Sequence, residues 1–200
     1  LDAFTTRKLA RFMTWIESGR GAPCSRKSYA RRVTTLKVFF KFLLAEKVLH
    51  DDPAVALPQR SGAAPLQPIL TDDEITRLLE HTLAQRVAET PDARPDLLLR
   101  LLLDTGIKKS ETLRLTREDV VREDPAQPVL VVRHRKPPDV YKERRIRLDP
   151  TWLDVLEEYL EQYTPREVIF DCTGRDLEYV LHDAAEAAGV DAKISFETLR

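Results

Sequence analysis

The 200-residue chain is 42% hydrophobic and 32% charged, which excludes a disordered segment and leaves room for one large or two modest globular domains. Its longest apolar stretch, residues 97–103, is interrupted by Arg100 and is too short to span a bilayer. No secretory signal is visible, so no membrane partner is expected. The formal net charge of −1 hides an asymmetry: residues 1–58 carry 11 Lys+Arg against 5 Asp+Glu, and the remainder 21 against 28. A basic first segment joined to an acidic second one predicts an anionic partner for the first.

In chain order, Thr5 or Thr6 is placed to cap a helix running to about Ser18, with the apolar stripe Leu9, Phe12, Met13 and Ile16. Gly19, Gly21 and Pro23 interrupt it. Ser25 then caps a long helix ending near Lys47, whose stripe is Tyr29, Val33, Leu36, Phe40 and Leu43. Two helices give little core, so further chain is expected before Leu1. Residues 59–69 fall in a Pro- and Gly-containing stretch without apolar period, a linker. Beyond it, Thr71–Glu74 is a capping box ahead of Ile75, Leu78, Leu79 and Leu83. A Leu-rich helix follows from Pro95 to Gly106, then a short helical turn at about 109–115. Residues 129–135 and 143–148 are β-rich and flank a Pro-Pro-Asp turn, which predicts a hairpin. Two more helices, at about 151–163 and 175–188, bracket the apolar run Val168–Phe170.

On the long helix, Lys27, Arg31, Thr34 and Lys41 share one face roughly opposite the buried stripe, and Arg26, Arg32 and Thr35 flank it. Guanidinium, ammonium and hydroxyl groups on one ridge suit phosphate contact and groove entry. No acid lies between Ser25 and Ala45 to neutralise them. From the residues alone, a solvated face and a DNA-binding face remain equally good readings. Cys24 and Cys172 form no CxxC pair and are expected to be reduced thiols of a cytoplasmic protein. His50, His81, His134 and His182 share no metal spacing, and no metal site is expected.

Four stretches, in order along the chain, resemble the tyrosine recombinases (phage integrases). Residues 25–57 are similar to the last helices of that family's core-binding domain, with an L-x-x-F-F-x-F-L-like core and a closing acid-acid-Pro turn. DTGIKKSETLRLTREDV at 104–120 resembles TGLRxSELLxLxxxDI, RKPPDVYKERRIRL at 135–148 resembles GKGxKxRxxPL, and ISFETLR at 194–200 resembles xxHxLR. The resemblance implies a mainly α fold with a small β-hairpin or sheet (α+β). Residues 1–58 would be a helical DNA-clamping domain, 59–69 a linker, and 70–200 a catalytic-type domain.

It also implies double-stranded DNA as partner, homo-oligomers on DNA, nucleoid association and phosphoryl transfer without metal or cofactor. In that chemistry a Tyr attacks the phosphate, two Arg and a hairpin Lys hold it or protonate the leaving oxygen, and a His assists. By position, Lys136 matches the hairpin Lys, with a longer turn after it. Arg200 matches the second Arg, and Glu111 a structural Glu. The first Arg is replaced by Lys108, which keeps charge but loses the planar fork. Glu197 stands at the His position, where it repels a phosphate and, at i, i+3, is placed to pair with Arg200. No Tyr follows Arg200 in this sequence, and Tyr141, Tyr159, Tyr163 and Tyr179 are expected to be packing or surface residues. Two functions are expected: a DNA-binding recombinase acting in recombination or integration, or a catalytically decayed relative serving as an accessory or regulator.

Overall fold

The computed structural model describes residues 4–22, 24–59, 69–134 and 141–200. The chain divides into two compact units, Leu1–Leu66 and Gln67–Arg200.

In the first unit, the Thr5 side chain accepts from the Lys8 N–H at 3.3 Å and starts α1 (Thr6–Thr14), which continues as a π-helical turn over Trp15–Gly19. The Ser25 hydroxyl accepts from the Ser28 N–H at 3.1 Å and starts α2 (Arg26–Ala45). Both caps satisfy an N–H that the helix itself leaves without a partner. Helix α2 stops two residues before the expected end, and Lys47 takes a left-handed φ of 55°. Leu9, Met13 and Ile16 pack with Tyr29, Val33 and Phe40, and Ala54 and Leu57 close the cluster. Leu36 and Leu43 pack at its margin. Phe12, expected in the buried stripe, is instead 45% exposed and stacks on Trp15. It lies at the edge of the 9/13/16 stripe, and a single partner helix covers only a narrow strip of α1.

The second unit is built around α4 (Arg94–Thr105). Its Leu97, Leu98, Leu99, Leu101 and Leu102 are all buried, because α3 (Asp72–Arg86), α6 (Thr151–Tyr163) and α7 (Gly174–Ala187) all pack on it. The expected Thr71/Glu74 capping box opens α3, with Glu74 N–H to Thr71 Oγ1 at 3.2 Å and Thr71 N–H to Glu74 Oε2 at 2.8 Å. Leu83, expected in the α3 stripe, is 39% exposed. The one charged residue buried in α4, Asp96, accepts from Thr82 Oγ1 at 3.1 Å and from Arg100 Nε at 2.9 Å, as a carboxylate out of water must.

Helix α5 (Lys109–Thr112) is followed by a 3-10 turn and a three-stranded antiparallel sheet ordered β1 (Val120–Val121), β2 (Val129–Val132), β3 (Arg144–Arg147). The hairpin register pairs Leu130 with Ile146 and Val132 with Arg144. The expected hairpin is therefore present, and β1 is an addition that two residues of sequence could not signal. Its turn, residues 135–140, lies outside the described residues. The Val168–Phe170 run makes a single antiparallel bridge from Val168 to Thr116. The architecture is mainly helical with one small sheet. Among the described residues, no helix is long and apolar enough to cross a membrane.

Candidate nucleic-acid interface and phosphate site

Two surfaces, one on each unit, carry the candidate site residues. On α2, burial of Tyr29, Val33 and Phe40 turns Arg26, Lys27, Arg31, Thr34, Thr35 and Lys41 outward, and all six are exposed. Among the described residues, Arg26, Lys27, Arg31 and Lys41 have no carboxylate partner. Arg32 differs: it is half-buried, and its Nη1 donates to Cys24 Sγ at 2.8 Å. The hydroxyls of Thr34 and Thr35 donate to the carbonyls of Ala30 and Arg31, each at 3.0 Å.

The second surface begins where α4 ends. Gly106 takes a left-handed φ of 57°, which favours glycine, and the Arg200 side chain lies against it, its Cγ 3.2 Å from where a Cβ would stand. The chain then extends through buried Ile107 to Lys108, at the N-terminal flank of α5, with its side chain exposed. Its neighbour Lys109 is committed elsewhere, 2.6 Å from Glu178 on α7.

Glu111 is the hub of this region and is only 4% exposed. It accepts from Arg144 Nη1 at 3.1 Å and Nη2 at 2.9 Å, and from the Lys108 backbone N–H at 3.0 Å; His134 Nε2 lies 3.2 Å from it. Burial pushes the carboxyl upward. Hydrogen bonds from Arg144 and from the Lys108 N–H, with the charges of Arg144 and Lys108, outweigh burial and hold it at about 2. One carboxylate thus ties the Lys108 turn to both arms of the hairpin, at His134 and at Arg144. Lys136 itself lies outside the described residues. Between the 108–119 segment and the hairpin runs an open groove of about 620 Å³, lined by Lys108, Ser110, Thr116, Arg133 and His134 among others. Within it, Arg133 Nε is 2.9 Å from Asp119.

At the C-terminal end of the chain, buried Phe196 and Leu199 alternate with exposed Glu197 and Arg200. The turn is fixed by Ser195 and Thr198, whose side chains each accept from the other's backbone N–H at 3.3 and 2.7 Å. Its i, i+3 spacing lets Arg200 Nη2 donate to Glu197 Oε2 at 3.1 Å. Of the four residues matched to the phosphate site, Arg200 packs over Gly106, two residues before Lys108, and Glu197 is bound to Arg200.

Arg144 and His134 do not stand out as site residues in the sequence. Their partner, Glu111, is 33 residues from Arg144, and only the family-like hairpin pattern hints at the link. Tyr159 is buried, Tyr163 donates from its hydroxyl to Asp92 at 2.8 Å, and Tyr141 and Tyr179 are exposed. Both cysteines are free, and no His/Cys/Asp/Glu cluster that could hold a metal occurs among the described residues.

No protein-family model matches the chain. Individual proteins do. It is 27% identical over 186 residues to the tyrosine recombinase XerD of Chlorobaculum tepidum, covering 86% of this chain and 59% of that protein. To XerD of Staphylococcus saprophyticus it is 30% identical over 146 residues, covering 71% and 45%. To XerD of Listeria innocua it is 25% identical over 214 residues, covering 100% and 67%. The chain therefore spans roughly half to two thirds of the length of these relatives. Among solved structures, the XerH site-specific recombinase bound to its difH substrate shares the fold with a TM-score of 0.72 at 18% identity, over 100% of this chain and 58% of that one. A lambda integrase dimer on a core site does so with a TM-score of 0.67 at 17% identity, over 98% and 70%. Motif order, hairpin architecture and these likenesses agree: the chain is similar in sequence to the tyrosine recombinases (integrases) and shares their fold.

Proposed function

We propose that this chain binds duplex DNA as part of a site-specific recombination or integration system, with residues 1–58 as the clamp, 59–69 as linker and 70–200 as the catalytic-type domain. The observation that carries the reading is the outer face of α2. Its four exposed cations lack carboxylate partners among the described residues, opposite a buried apolar stripe. Unpaired cations on a rigid helix are what the phosphate backbone selects, and Thr34, Thr35 and Lys41 would continue the contact into a groove. Arg26, Lys27 and Arg31 are the strongest phosphate contacts, and Arg32 contributes only on release from Cys24. The relatives' names and the DNA-bound neighbours support the same partner, and homo-oligomers on DNA accord with the dimeric and tetrameric neighbours. Action on DNA places the protein at the nucleoid in the cytoplasm, with no cofactor required.

In this reading Lys108, Lys136 and Arg200 form an altered phosphate site, and Glu197 opposes it. The Arg200–Glu197 bond favours a second reading, a recombinase-derived accessory protein with reduced chemistry, because the guanidinium that would grip a phosphate is already engaged. The two readings separate on a nicked suicide duplex. A covalent protein–DNA product formed by the full-length protein would establish strand cleavage, the step that recombination needs and an accessory protein lacks. Sequence-selective binding without such a product would establish the accessory role. Absence of any salt-dependent duplex binding by the chain would refute both.

A further inference from the structure

The outer strip of α2 holds more than cations. With each residue about 100° further round the helix, Val38 falls on the same face as Lys27, Arg31 and Lys41, between Thr34 and Thr35 on one turn and Phe42 on the next. Val38 is 64% exposed, an apolar side chain set inside a cationic face. The flanking hydroxyls are not free to donate. Each has a single hydrogen, given to Ala30 O or Arg31 O, and Thr34 Oγ1 also accepts from Gln59 Nε2 at 2.9 Å. What the middle of the strip offers a partner is therefore methyl groups, with cations before and after them.

In the major groove, thymine alone among the four bases presents a methyl group, on C5, and apolar side chains and threonine methyls are its natural contacts. We propose that Val38, flanked by Thr34 and Thr35, is a specificity-determining residue that contacts thymine C5-methyl groups while Lys27, Arg31 and Lys41 hold the phosphates on either side. Charge complementarity selects duplex DNA as the occupant of this face. The inference rests on the DNA-binding reading above and deepens it.

The test enriches duplexes from a random-sequence pool with the 200-residue chain. The winning duplex is then compared with a copy in which every thymine is uracil, which removes the methyl groups and leaves every phosphate and Watson–Crick pair in place. The uracil copy is expected to bind about four-fold more weakly for each methyl that the protein touches. Val38→Ala, at an exposed helical position where alanine is well tolerated, should abolish the thymine–uracil difference and keep the salt dependence. Equal affinity of the wild-type chain for both duplexes overturns the inference and leaves the DNA reading standing. So does a thymine–uracil difference that persists in Val38→Ala, or a Val38→Ala effect on self-association alone. If no duplex binds, the DNA reading fails and this inference with it.

Discussion

Glu111 shows how one side chain can hold a site without touching what the site binds. A carboxylate this buried is tolerated only because donors from the α5 flank and the hairpin converge on it. Its depressed value near 2 is also a statement about stability. The folded form binds its proton more weakly than the unfolded chain does, so the stabilisation is full above about pH 4.5 and is lost as pH falls towards 2. The shift corresponds to on the order of 3 kcal/mol. Glu111→Gln is expected to lower unfolding free energy at pH 7 by roughly that amount, with the difference from wild type shrinking below pH 4. Urea unfolding at several pH values checks this, and a difference that stays constant with pH would show that the ion pair is not its source. Glu197 is a different case, because its side chain is 67% exposed. Breaking its bond to Arg200 should cost less than about 1 kcal/mol. Lys108→Arg with Glu197→His is therefore expected to leave melting nearly unchanged and to tighten DNA binding by about 1 kcal/mol or more, through a restored fork and a freed guanidinium. Unchanged affinity at unchanged melting temperature would mean that the corner at Gly106 no longer meets a phosphate.

At the scale of elements, α2 makes the clearest commitment, since its buried and cationic faces are fixed by one rotation of one helix. Charge reversal at Lys27 and Arg31 together should weaken binding to every duplex and flatten log K against log salt by about 0.9 for each phosphate no longer neutralised. Affinity measured over a salt series decides it, and an unchanged slope would remove α2 from the interface. The helices are legible in the sequence because their signals are local: Thr5, Ser25 and the Thr71/Glu74 box sit within one turn of what they cap. The hairpin is legible as two β-rich runs. Strand β1 is not, because Val120 and Val121 are a strand only by pairing with β2. Phe12 departs from its expected stripe because periodicity gives the direction of a face but not its width. The site is half legible for a similar reason. Lys108, Glu197 and Arg200 stand in short motifs, whereas the bond that joins Glu111 to Arg144 spans two elements and leaves no local trace. Arg32 joins the cationic ridge by spacing, yet its contact with Cys24 draws it partly inward.

The whole molecule divides charge and core unequally. The first unit holds the basic excess and a small cluster around Met13, Val33 and Phe40, and leaves Phe12, Trp15, Phe39 and Phe42 largely exposed. The second holds the acidic excess and a much larger cluster centred on α4 and Trp152, whose Nε1 donates to the Leu97 carbonyl at 3.2 Å. Hydrophobic stabilisation scales with apolar area removed from water, so the two units should not share one stability. Heating is expected to give two calorimetric transitions, the first unit melting below the second. Each residue-level change then has its own address: Glu111→Gln should lower only the upper transition, and the α2 charge reversal should leave it untouched. Duplex DNA binds the folded form of whatever it touches, and at a hundred times its dissociation constant adds about 2.7 kcal/mol to that form. If α2 makes the main contact, DNA should raise the lower transition most, and the Lys27/Arg31 reversal should erase that rise. A rise confined to the upper transition would move the principal interface to the groove beside Lys108, and a single transition with or without DNA would show that the two units fold as one.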